Sequence, residues 1–337
     1  MIPEGSAWQR LRQMALDAVP EGASYSIRTP AALSKWQSNG YFTVTKATKS
    51  GFDVVVGIQD IGGALLTDAD YLLDAATEHQ ATLWRQINTA EWTSPGWVIV
   101  TFYYWSFFMV LALTRILGRT SWYIAREPAQ NLVRLAPVTV QSPGAGCYRL
   151  ALGQPLSVTD RELQLRRSAN RIHDDIWRVF DDLCRTHLQP AANRAANDLE
   201  DRLYTTLVLI GNKLGPEWPS SFRNLVNYRQ EFGYAAGRQG SRLPSYSYLR
   251  SPTSYQFPDL LQRFEARAVS LRHGDVVNRP ADTALLLVDF CLILHALVFQ
   301  IHADVIERRG LDQRWRKARD RFVRSAGLMS PNGAWPC

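Results

Sequence analysis

The chain has 337 residues, 46% of them apolar and 20% charged, which is ordinary globular usage and excludes a disordered, collagen-like or coiled-coil chain. At about 150 residues per domain, the length allows two domains or one large one. The formal charge is +7, from 38 basic and 31 acidic residues. Only Lys35, Lys46, Lys49, Lys213 and Lys317 are lysines, so arginine carries the basic side. Its rigid donor fork suits phosphate and base contacts, although a GC-rich coding sequence enriches arginine too. Cys147, Cys184, Cys291 and Cys337 are scattered without a C-x-x-C pair, so no structural zinc is expected. No apolar run follows the polar first twelve residues, so the expectation is a chain without a signal peptide, in a reducing cytoplasm.

Residues 6–18 read as a short amphipathic helix carrying Trp8, Leu11, Met14 and Ala15. The β-branched runs 41–45 and 52–56 flank Lys49-Ser50-Gly51 and predict a hairpin. Gly62-Gly63 is read as the end of that segment. A helix follows over 64–88. Thr93-Ser94-Pro95 starts another that ends near Gly118. Residues 136–155 are again strand-like, which suggests a second hairpin inserted between helical blocks. Ser157-Val158-Thr159-Asp160 is read as the start of a helix reaching His187. Residues 191–211 are helical, 222–234 a short helix or loop, and 237–258 a long polar loop without periodicity. Helices are expected at 260–273 and 280–307, then a basic stretch at 308–324 and a frayed tail at 325–337.

Two apolar runs raise a membrane question. The uncharged run 97–113 falls short of the roughly 20 residues that span a bilayer. Its middle holds Tyr103, Tyr104, Trp105 and Ser106, which prefer an interface. The run 284–301 contains Asp289 and His295, both costly in lipid. Both runs are therefore expected to be buried core helices, with a single-span anchor at 97–117 as the alternative.

Familiar enzyme signatures are missing: no P-loop, no H-E-x-x-H and no G-x-S-x-G. The pairs Asp174-Asp175 and Asp181-Asp182 share a predicted helix with Arg178 and Arg185 and read as a solvated, salt-bridged face. Arginine precedes histidine by a short spacing at Arg267/His273, Arg167/His173 and Arg166/His173. So many arginines produce such spacings by chance. Context, namely Gly274 and the apolar helix downstream, favours the first.

That context, 261–274 (LQRFEARAVSLRHG) before an apolar helix, resembles the catalytic corner of HEPN domains, a family of four- to five-helix bundles. The aromatic stretch 102–118 is similar to the family's core helix. In 222–234, Arg223-Asn224 matches the start of a second corner, but Tyr228 stands where the family places histidine. The resemblance touches 97–305 in fragments.

It implies a mainly α-helical, HEPN-like bundle with two small β-hairpin insertions, α+β overall. The organisation would be 1–63 (helix and hairpin), 64–307 (helical core with an insertion near 136–155) and 308–337 (basic segment). It also implies RNA as partner, in a bacterial antiviral defence or toxin system, with a homodimer or a protein partner and no membrane. Arg267 and His273 would be the catalytic pair of a metal-independent endoribonuclease, needing neither metal nor cofactor. In that chemistry the RNA 2′-OH attacks the adjacent phosphate while histidine moves the proton and arginine holds the phosphate. Arg223, Tyr228, Arg229 and Arg272 would line the RNA groove, extended by Arg314, Arg316 and Lys317, whose neighbours Trp315 and Phe322 could stack bases. The same tail can instead dock on the core through Leu311, Trp315 and Phe322. A non-catalytic helical scaffold that binds protein partners is the competing expectation.

Overall fold

The structure is a computed structural model and describes residues 6–23, 31–88, 94–138, 143–189, 198–229, 257–311 and 314–325. In chain order the elements are α1 (Ser6–Ala18), α2 (Ala32–Asn39), β1 (Phe42–Thr48), β2 (Gly51–Gly57), α3 (Ile58–Asn88), α4 (Pro95–Ile116), β3 (Arg119–Ile124) and α5 (Arg126–Arg134). There follow β4 (Gly146–Pro155), β5 (Asp160–Arg167), α6 (Ile172–His187), α7 (Asp198–Leu214), α8 (Trp218–Tyr228), α9 (Phe257–Ser270), α10 (Asp275–Asn278), α11 (Pro280–Arg308) and α12 (Arg314–Ser325). The fold is mainly helical with one five-stranded antiparallel sheet.

A helix that is apolar on every side must be covered on every side. α4 meets that demand by lying against α3, α11, α6 and α8. Its Tyr103, Met109, Val110 and Ala112 are fully buried. α11 is covered by α4, α9 and α1. The two apolar runs of the sequence are thus interior helices of this fold. α1 is fixed from outside its own segment. Glu200 on α7 accepts the backbone N–H groups of Ala7 and Trp8 at 3.2 and 2.9 Å, where a helix N-terminus favours a carboxylate.

The sheet runs β1-β2-β5-β4-β3. Alternate residues face a second core: Phe52, Val54 and Val56 of β2, Leu163 and Leu165 of β5, and Tyr148 and Leu150 of β4. Leu33 and Trp36 of α2 and Ile61 and Leu65 of α3 complete it. On the opposite face α6 packs against β3. There the fully buried Asp175 binds Ser121 Oγ at 2.5 Å, Ser168 Oγ at 2.7 Å and Arg149 Nε at 2.9 Å.

Several sequence expectations change. Residues 160–167 are strand β5, and α6 begins only at Ile172. The segment DRELQLRR alternates charge with Leu163 and Leu165, a period of two that a helix reading overlooks. Residues 146–155 do not form an isolated hairpin; β4 lies between β3 and β5. β2 pairs with β5, so the first hairpin belongs to the same sheet. β3 and α5 are additional elements. Gly62 and Gly63 sit inside α3 and do not end a segment. A Cβ on Gly62 would stand 2.7 Å from the Ala18 carbonyl oxygen, so glycine is there to let the end of α1 cross α3. Asp174 and Asp175 are not a solvated face, since Asp175 is buried and Asp174 accepts from Ser220 Oγ at 2.7 Å. The predicted loop falls almost entirely within 230–256 and the tail within 326–337, both outside the described residues.

Candidate functional site

α9 and α11 decide the position of Arg267. Arg263 and Arg267 are one helical turn apart and both reach Asp289, each at 2.6 Å. Asp289 is 2% exposed. Burial pushes its carboxyl up, and the two guanidiniums pull it back down. Such a pair of cations is what a buried carboxylate requires. His273 lies beyond the end of α9, exposed, with Nδ1 3.1 Å from the Lys213 carbonyl oxygen at the end of α7. Lys213 Nζ in turn donates to the Ala268 and Val269 carbonyls at 3.0 and 2.9 Å. Arg267 therefore serves a buried ion cluster and His273 the junction of α7 with α9. No bond joins the two side chains.

The other expected site residues are spread out. Arg272 is exposed, and its backbone N–H donates to Asp275 Oδ2 at 2.7 Å. Tyr228 is 77% exposed at the end of α8, with Arg229 exposed beside it. Arg314 and Arg316 belong to the first turn of α12, and their side chains and that of Trp315 lie outside the described residues. Lys317 is exposed. α12 is docked, through Arg319 and Val323. Arg319 Nε binds Asp74 at 2.7 Å, and its Nη2 binds Asp70 at 3.0 Å. His302 Nε2 also meets Asp70, at 2.7 Å. Phe322 remains 40% exposed.

A different constellation forms where α4, α6 and α8 meet. The spacing of α4 puts Tyr103, Tyr104, Phe107 and Phe108 on one side of the helix. His173 enters from the first turn of α6 and stacks on Phe107 at 4.4 Å between ring centres. Its Nδ1 lies 2.9 Å from the Tyr103 hydroxyl. Arg223 enters from α8 and lies over Tyr103 at 5.1 Å and Tyr104 at 6.0 Å. On α8, Ser220 stands one turn before Arg223 and binds Asp174. His79 of α3 stacks on Tyr104 and Phe108 at 5.7 and 5.4 Å.

Arg223 is not ion-paired at this junction. Among the described residues no carboxylate pairs with Arg223, and its buried Nε has no hydrogen-bond acceptor. Cation–π contact supplies about 0.5–2 kcal/mol, less than an ion pair supplies to a desolvated guanidinium. His173 and Arg223 are both half-buried. Burial lowers the His173 pKa, Arg223 lowers it further, and Asp174 opposes both. Burial likewise lowers His79 and raises the Tyr103 phenol. A fixed cation beside a neutral imidazole, over an aromatic floor, can hold a phosphate and accept a proton.

Sequence reading placed Arg223 in a groove but set His173 aside. Its two arginine matches indeed turn elsewhere: Arg166 to Asp53 and the Phe52 carbonyl, Arg167 to the Ala145 carbonyl. The arginine that reaches His173 comes from another helix, so no spacing signal exists for it. No family model, curated protein or solved structure matches the chain.

Proposed function

We propose that this protein is a HEPN-like RNA-binding protein of the cytoplasm that cleaves RNA without a metal ion, with Arg223 and His173 at its working site. The observation that carries the reading is Arg223, a half-buried cation with no carboxylate partner among the described residues, held on two tyrosines beside an imidazole. An anion of the phosphate type supplies the ion-pair partner that Arg223 lacks among the described residues. In the reaction, His173 accepts the proton of the RNA 2′-OH. The 2′-oxygen bonds to phosphorus, the bond from phosphorus to O5′ breaks, and O5′ takes a proton from a water molecule whose hydroxide is neutralised by the proton that His173 gives back. Arg223 holds the charge that builds on the phosphate. The defence or toxin setting, and a second copy or partner subunit completing the cleft, rest on the resemblance of 97–305 to the family.

A metal-free cleavage assay on total RNA, with anisotropy on a labelled single strand, tests this. His173→Ala and Arg223→Ala should each remove cleavage by about 10²-fold or more, while His273→Ala leaves it within about twofold. Loss that follows His273 and Arg267 instead would return the site to the α9 corner. A wild-type protein that neither binds nor cuts RNA would leave the scaffold reading.

A further inference from the structure

α12 has two unlike faces. Arg319 and Val323, one turn apart, are buried, and Asp70 and Asp74 of α3 hold the Arg319 guanidinium. Lys317, Arg321 and Arg324 fall on the opposite side, because steps of four and three residues return to one helical face. All three are exposed, and none meets a carboxylate among the described residues. Arg321 Nε reaches the Lys317 carbonyl, at 3.4 Å. Asp320, the one acid of α12, is half-buried. The helix lies on α3 close to the proposed site. Thr77 and Glu78 share a cleft with Phe322, and the next residue, His79, stacks on Tyr104 beside Arg223.

What this face binds follows from its chemistry. The stripe carries no apolar side chain. Val323 is already buried and Phe322 lines the cleft on α3, so the docked helix has no apolar face to lay into a bilayer. Three unpaired cations in a row suit a chain of regularly spaced anions. Their positions step about 6 and 4.5 Å along the helix axis, and their long stems let each head find its own phosphate. We propose that the outer face of α12 is a phosphate-binding rail for single-stranded RNA, with Lys317, Arg321 and Arg324 each meeting one phosphate. Arg319 belongs to the same basic run but adds no contact, because Asp70 and Asp74 already neutralise it. The choice of RNA as the polyanion rests on the function proposed above; the charged face itself does not.

The test is fluorescence anisotropy of a labelled 2′-O-methyl oligouridine, which lacks the attacking hydroxyl, on the full chain from low to high salt. Each lost phosphate contact lowers the slope of log affinity against log salt by about 0.7 for a single strand. Lys317→Gln, Arg321→Gln and Arg324→Gln together should lower it by about 2 and weaken binding about tenfold or more at low salt. Amide exchange in 314–325 checks that α12 stays docked, and the three single variants, each lowering the slope by about 0.7, serve if the triple does not. Lys35→Gln, Lys46→Gln and Lys49→Gln remove the same net charge from exposed positions on α2 and the β1–β2 hairpin and should leave the slope unchanged. A slope that stays put in the α12 variants, or falls equally in the remote triple, overturns the rail. So does an α12 triple that loses binding to vesicles of equimolar phosphatidylcholine and phosphatidylserine while its RNA binding is intact. RNA binding that depends on α12, in a protein whose cleavage ignores His173 and Arg223, upholds the rail and sinks the proposed cleavage site. A wild type that binds no RNA overturns both.

Discussion

Removing the Arg319 side chain should release α12 from the body of the protein. Arg319 is 4% exposed and makes three charge-assisted contacts, to Asp74 Oδ1 at 2.7 Å, Asp70 Oδ1 at 3.0 Å and the Asp70 carbonyl at 3.2 Å. Deleting one partner of a buried ion cluster costs about 3–5 kcal/mol, because the remaining charge stays desolvated. Among the described side chains of α12, Val323 is also fully buried and supplies about 1.5–3 kcal/mol. The loss is at least as large as what Val323 supplies, so Arg319→Ala undocks the helix and does not unfold the chain. Amide hydrogen exchange in 314–325 should accelerate by about 10²-fold or more. Burial holds the Asp74 carboxyl above its ordinary range, against the pull of Arg319. A raised folded pKa means stability is lost as pH rises. Without Arg319 the rise is larger, so the defect is full near pH 8 and shrinks as Asp74 protonates in acid. Arg319→Met combined with Asp70→Asn should recover part of the protection by removing both charges. Exchange in α12 that is the same in Arg319→Ala and wild type would refute the reasoning.

Three further outcomes follow from other sites. Arg223→Ala should weaken single-stranded RNA binding about tenfold and flatten its salt dependence by about one phosphate contact, read by anisotropy from low to high salt; an unchanged slope would show that Arg223 meets no phosphate. Asp175→Asn leaves Arg149, Ser121 and Ser168 poorly matched and should cost about 3–5 kcal/mol in denaturant unfolding at pH 7. Hydrogen bonds from Arg149, Ser121 and Ser168 hold the Asp175 carboxyl below its ordinary range despite burial. Its contribution is therefore present above the unfolded value near 4 and lost as pH falls through the lower folded value, so the mutant's acid arm should be flatter than that of wild type. Gly62→Ala should cost about 1–3 kcal/mol in thermal or denaturant unfolding, since its new methyl meets the Ala18 carbonyl oxygen at 2.7 Å; a neutral result would mean the end of α1 moves aside freely.

Elements whose signals are local are legible in the chain alone. Polar–apolar spacing marks α1, and the runs around Lys49-Ser50-Gly51 mark the β1–β2 hairpin, where a Cβ on Gly51 would overlap the Leu165 carbonyl oxygen. Length and all-round apolarity mark α4 and α11, because a helix with no polar side has to be interior. The remaining features depend on contacts between distant segments. For β5 the period of two at Leu163 and Leu165 was in the chain, but its pairing with β2 and β4 on either side was not. Arg267 sits within six residues of His273, yet the nearest buried carboxylate, Asp289, claims its guanidinium. Arg319 looks like one more cation in a basic tail until Asp70 and Asp74 are seen beneath it. His173 and Arg223 lie on separate helices and meet only because both pack against the same tyrosines of α4. Backbone preferences act over a few residues and leave a pattern in the chain, whereas the partner of a buried charge is chosen by packing between distant segments and leaves none.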